Sequence, residues 1–229
     1  MVQVNNGKLF IRLKFRKTGN LQYISHLDLV RTMHKVIVRA DLPLWYTEGF
    51  NPKPKMIFAA PLSIGTESLT EFLDLRLTGR MDPREVMVRL NRNMVSDMQI
   101  YDAYYPDSKL TDLQWISYRI KLRLLDCTDG TVEKISSFFA SDVIEVAKKS
   151  GEGTTNIKPL IKSLDVTKKE GYIEIYTLLS ANPSAFLNPE YLVKAIKDYL
   201  GVLKEEDLLS ESYSIMRENA YFADMSEFR

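Results

Sequence analysis

Cysteine is all but missing from this sequence, Cys127 being the single one among 229 residues. An intramolecular disulfide is excluded, and so is any zinc or iron–sulfur centre held by several thiolates of this chain. Long hydrophobic runs are missing too. No uninterrupted apolar stretch reaches the roughly 20 residues that a membrane-spanning helix needs, and Met1-Val-Gln-Val-Asn-Asn6 has no basic segment leading into an apolar one. The expectation is a soluble, cytoplasmic protein without membrane association. Nor is either sign of charge in excess, since 31 Lys and Arg stand against 30 Asp and Glu. Total charge therefore says nothing for or against a nucleic-acid partner, and the argument falls to its distribution.

What is present is material for a core. Hydrophobic residues make up 45% and charged residues 27% of the chain, an ordinary globular balance, and 229 residues suit two domains of about 110 each. Leu9, Ile11, Leu13 and Phe15 alternate with Arg12, Lys14 and Arg16, the period of a strand with one core face and one basic face. Thr18-Gly19-Asn20 turns the chain. Ser25, with Asp28 three residues on, is an N-cap signal for a helix reaching about Ala40, its buried stripe being Leu29, Met33, Val36, Ile37 and Ala40. After a loop punctuated by Pro43, Gly49, Pro52 and Pro54 come strands over 56–60 and 71–77. A helix starting at Asp82-Pro83 and a strand over 98–105 complete the half.

That order predicts an α+β fold with a ferredoxin-like βαββαβ unit over residues 1–107, its antiparallel sheet carrying both helices on one face. Residues 106–109 read as a linker, after which the pattern restarts. Ile116, Tyr118, Ile120, Leu122 and Leu124 alternate with Arg119, Lys121 and Arg123. A helix over 131–141, extended chain over 143–148, a strand over 172–179, a helix over 188–200 and a strand over 213–221 follow. The second ferredoxin-like unit, residues 108–229, thus carries an insertion at about 151–165 that begins with a Gly-rich loop. The architecture expected is a tandem of such units.

Candidate contacts cluster in the first unit. Arg12, Lys14 and Arg16 would lie on a sheet face without helices, where cations suit phosphates, unless Asp74 and Arg76 of the neighbouring strand pair with them in a solvated ladder. Arg31, Lys35 and Arg39 recur every four residues and stack along one helical ridge, a phosphate-binding row or simply a hydrated one. Trp45, Tyr46 and Phe50 interleave with Lys53 and Lys55, combining rings and cations as single-stranded RNA recognition requires. Trp45 and Phe50 read equally as plugs beneath the loop. His26, the first helical residue, is the candidate general base for metal-independent RNA cleavage, with Tyr23 three residues before it; a structural hydrogen-bonding role is the plainer reading. His34 is about 12 Å further along the helix by rise, too far to share a metal with His26. No metal and no cofactor is assigned to this chain.

At these residues the sequence resembles a bacterial radical-SAM-associated domain family of unknown function. The resemblance rests on Lys17-Thr18-Gly19, Tyr23 to Leu29, Gly49 to Lys55, Pro61 to Gly65 and Glu71-Phe72-Leu73-Asp74, with Ile157 to Ile161 as a weaker further piece. In that family the domain is a C-terminal extension of cobalamin-binding radical SAM proteins or a separate chain accompanying them. The resemblance implies a radical SAM protein as partner and an accessory role, but no residue-level roles. Three functions are expected to compete: an RNA-binding or substrate-presenting module, a metal-independent endoribonuclease using His26 and Tyr23, and a docking subunit that never touches nucleic acid. The duplicated architecture is similar to that of CRISPR repeat-processing endoribonucleases, although this chain lacks their C-terminal glycine-rich loop.

Overall fold

The computed structural model describes residues 8–148, 152–204 and 210–229. The chain forms two compact units, Met1–Leu113 together with Ser226–Arg229, and Gln114–Met225. The protein is α+β with mostly antiparallel strands and four α-helices among the described residues. The second unit begins at Gln114, and residues 226–229 belong to the first unit.

In the first unit, β1 (Leu9–Lys17), α1 (His26–Arg39), β2 (Met56–Phe58), β3 (Thr66–Leu77), α2 (Pro83–Asn91) and β4 (Ile100–Tyr104) follow in the expected order. The strands run β4-β1-β3 with β2 beside β3, every pair antiparallel. Register follows from side-chain polarity. Ile11 faces Leu75 and Leu13 faces Leu73, and these residues join Met33, Ile37, Val86 and Leu90 of the two helices in one core. Ser25 caps α1 by accepting a hydrogen bond from the Asp28 amide, and Asp82 caps α2 by accepting one from the Arg84 amide. Gly19, at φ +59, makes the left-handed turn after β1, and its amide donates to Glu67 Oε1 at 2.7 Å.

The other face of β1 is not open. Arg12 is fully buried and Lys14 nearly so, because residues 226–229 lie across them. Arg12 donates to both carboxylate oxygens of Asp74, at 2.7 and 2.9 Å, and to Ser108 Oγ and the Ser108 carbonyl. Its guanidinium also lies 4.9 Å from the centre of the Phe228 ring. Lys14 Nζ meets Glu227 Oε1 at 2.5 Å, and Arg229 stacks over Tyr104. Burial holds the Asp74 carboxyl above its ordinary value even though the Arg12 guanidinium draws it down. The expected alternation is present, then, but its basic side is a second, polar interior. Only Arg16 remains exposed there, donating to the Ser96 carbonyl.

The second unit comprises β5 (Trp115–Arg123), α3 (Asp129–Ala140), β6 (Glu145–Ala147), β7 (Thr154–Asn156), β8 (Ile161–Lys169), β9 (Tyr172–Ser180), α4 (Glu190–Leu200) and β10 (Ser212–Tyr221). Its main strands run β10-β5-β9-β8, again with antiparallel neighbours, and β6 pairs with β7 in a small separate ribbon. The segment expected as an insertion therefore supplies β7, a 3-10 turn over Lys158–Leu160 and most of a full sheet strand. Gly151, the start of the expected Gly-rich loop, lies outside the described residues. The basic side of β5 is compensated at Arg119, bracketed by Glu218 at 2.5 Å and Glu174 at 3.1 Å. Those carboxylates hold its guanidinium above its ordinary value. Among the described residues no helix is long and apolar enough to cross a membrane.

Candidate nucleic-acid interface

The solvent side of α1 and the segment from Lys53 to Pro61 enclose a groove of about 830 Å³ in the first unit. Helical spacing puts two rows side by side on that face, His26, Val30 and His34 in one and Leu27, Arg31 and Lys35 in the other, while Leu29, Met33, Val36 and Ile37 turn to the core. Facing them are Lys53 and Pro54 from the loop and Met56, Ile57 and Phe58 from β2. The floor is apolar and the rim carries three cations. Among the described residues no carboxylate lines it. Arg31 has an exposed partner in Asp28 at 3.3 Å, whereas Lys35 and Lys53 have no carboxylate partner among the described residues. The Ser25 hydroxyl, helped by Arg31, keeps the Asp28 carboxyl below its usual range, so that residue is anionic at neutral pH.

The loop before β2 is a short ribbon. Tyr46 and Pro54 form a bridge, the Thr47 amide donates to the Lys53 carbonyl and the Lys53 amide to Thr47 Oγ1. The Trp45 amide donates to the Arg76 carbonyl and the Lys55 amide to the Trp45 carbonyl, which ties the ribbon to the edge of β3. These bonds hold Lys53 in place beside α1. Phe50 projects from the tip entirely exposed. Trp45 is half-buried under the Arg76 guanidinium, 3.9 Å from its ring centre, so it acts as packing for the ribbon.

Of the residues singled out in the sequence, His26, Arg31, Lys35 and Lys53 come together in the groove. Arg39 is a turn further on, in a separate depression beside Glu85 and Arg89. Tyr23, Tyr46, Phe50 and Lys55 are exposed but outside the lining, and Arg12, Lys14 and Arg16 belong to the other side of the sheet. Sequence reasoning missed His34 as a lining residue and missed Phe58 and Ile57 altogether, because Met56 to Ala60 reads as an apolar core strand. The signal available was the shortness of that apolar run, which leaves Ile57 exposed at 38%. Among the described residues no group of three or more His, Cys, Asp or Glu is placed to hold a metal ion.

A bacterial family described as "Uncharacterized protein conserved in bacteria (DUF2344)" matches residues 11–189. The chain belongs to that family. The DUF2344 match spans every groove residue, from His26 to Pro61. No curated protein matches the chain. Among solved structures, an unknown protein from Galdieria sulphuraria is similar at 10% identity, with 92% of this chain and 98% of that one covered and a TM-score of 0.29. DyPB from Rhodococcus jostii RHA1 is similar at 10% identity, with 92% and 93% covered and a TM-score of 0.20. At such scores neither defines fold or chemistry for the DUF2344 chain.

Proposed function

We propose that this chain is a non-catalytic, cytoplasmic RNA-binding module that presents its ligand to a radical SAM enzyme. The observation that carries the RNA reading is the groove itself, a concave apolar surface rimmed by Arg31, Lys35 and Lys53 with no carboxylate among its described lining residues. Support for the enzyme partner comes from the family resemblance. Its segments Tyr23 to Leu29, Gly49 to Lys55 and Pro61 to Gly65 all contribute lining residues, so the residues that carry the likeness converge on one place. Apart from the β6–β7 ribbon, the two units share element order and antiparallel strand order, which supports reading the chain as a tandem of ferredoxin-like units. A nuclease role is less favoured, because Tyr23 is outside the groove that His26 lines.

Fluorescence anisotropy with a labelled single-stranded RNA tests this reading. Binding at low salt is expected to weaken as salt rises, with a log–log slope of about −2 for three phosphate contacts on a single strand. Changing Lys35 and Lys53 to Gln together is expected to flatten the slope to about −0.7. Absence of binding to both single-stranded and structured RNA at low salt overturns the reading. A second reading, docking onto the radical SAM protein, is favoured by Phe50, a fully exposed ring on a tied ribbon suited to anchor a protein interface. Co-purification of that enzyme, lost in Phe50→Ala but kept in the Lys35/Lys53 variant, is the result that would favour docking.

A further inference from the structure

The groove has a geometry that phosphate binding alone does not call for. The His26 and Phe58 rings meet edge to face, with centres 5.5 Å apart and planes at 79°, and both line the groove. Two aromatic planes at a right angle form a corner. A flat heterocycle stacked on one of them necessarily turns its edge toward the other. With the base on Phe58, its edge meets the face of the imidazole, an edge-to-face contact of the kind aromatic rings favour. The corner is set firmly. Phe58 packs edge to face against the fully buried Phe15, with centres 6.4 Å apart. Behind the two rings a small cavity is lined by the buried Lys17 and Glu71, and Lys17 Nζ donates to the Leu21 carbonyl at 3.0 Å. On the solvent side His26 is exposed, so the corner is accessible.

We infer that the groove is a pocket for one unstacked nucleotide, with its base in the His26–Phe58 corner and its phosphate on Arg31, Lys35 and Lys53. This rests on the RNA-binding reading and adds to it the unit recognised. Arg31 and Lys35, four residues apart, stand about 5–6 Å from each other at Cβ and can share one phosphate group. The volume of 830 Å³ falls within the range of about 300–1,000 Å³ usual for small-molecule sites, which leaves room for a nucleoside monophosphate and ordered water. Free nucleotides and a splayed nucleotide within RNA offer the same chemistry, a base joined through a sugar to a phosphate.

Competition separates the possibilities. A labelled single-stranded RNA is displaced with each of the four nucleoside 5′-monophosphates, and with inorganic phosphate at matched ionic strength, while the imidazole protons of His26 and His34 are followed by NMR. Displacement by at least one nucleotide, well beyond that caused by phosphate, with a shift of the His26 signals, is expected. Phe58→Leu, which keeps the apolar bulk and removes the ring, should weaken that nucleotide at least about fivefold, as loss of base stacking does. Equal competition by phosphate, or RNA binding unchanged in Phe58→Leu, overturns the pocket and leaves the RNA reading standing. If the wild-type chain binds no RNA yet a free nucleotide shifts His26, the RNA reading falls and the pocket holds a free nucleotide. If neither binds, both fall. The wild-type competition and the histidine signals decide the matter even if Phe58→Leu fails to fold.

Discussion

The Phe228 ring and the Arg12 guanidinium, 4.9 Å apart, are both withdrawn from water. Phe228 also packs edge to face on Phe72, with centres 5.0 Å apart. Residues 226–229 thus form a strap over the side of β1 away from the helices. Truncating Phe228 to Ala removes a fully buried ring and opens Arg12 and Asp74 to solvent. A loss of about 3–5 kcal/mol in unfolding free energy is expected by urea denaturation. A loss under 1 kcal/mol would mean that the strap contributes little.

Asp74 compensates a charge that cannot leave. Asp74→Ala leaves the Arg12 guanidinium buried without its carboxylate, and a destabilisation of about 3–5 kcal/mol is expected. Arg12→Met with Asp74→Leu should restore most of it, because burial opposes ionisation of the carboxylate and the pair adds little net stability. Denaturation of the single and double variants gives the comparison directly. A double variant as unstable as the single one contradicts this account.

Tyr104 gives the fold an alkaline limit. Its hydroxyl is buried without a hydrogen-bond partner among the described residues, and burial first, with Asp102 and Asp74 adding to it, pushes the phenol up to about 12. The folded state therefore holds this proton more tightly than the unfolded chain, whose tyrosines titrate near 10. The stability this contributes is intact below pH 10 and is lost as pH rises from 10 through 12. Tyr104→Phe should flatten that decline and cost nothing at pH 7, since it removes an unsatisfied polar group. Unfolding midpoints at pH 8, 10 and 11 provide the check.

Gly19 admits no side chain cheaply. A Cβ there would stand 3.0 Å from Asp97 Oδ2, and φ is +59. Gly19→Ala is expected to cost roughly 1–2 kcal/mol, mainly through the left-handed backbone. Gly19→Asn should cost less, because Asn tolerates that region better.

Much of this fold can be read from side-chain periodicity. Ser25 and Asp28 mark the start of α1 to the residue, and the odd positions of β1 identify its core face. The even positions mislead for a physical reason. Alternation shows that Arg12 and Lys14 share a side, but what covers that side comes from residues more than two hundred positions away, with no local signal. β8 was hidden because its polar residues, Ser163, Asp165 and Thr167, blend with the glycines before it. Within the groove the cations of α1 and Lys53 were legible from spacing and loop chemistry. The Phe58 corner was not, since an aromatic residue in a short apolar run looks like core from sequence, and its approach to His26 depends on the tertiary fold.

The order of synthesis adds a consequence of the strap. Residues 114–225 are contiguous in sequence, whereas the first unit, begun earlier, is completed only when residues 226–229 are added. Until then the Arg12–Asp74 pair is open to water on the side that Phe228 later seals. A chain truncated after Met225 should therefore be cut by protease preferentially within residues 8–113, and one that carries residues 226–229 should resist there.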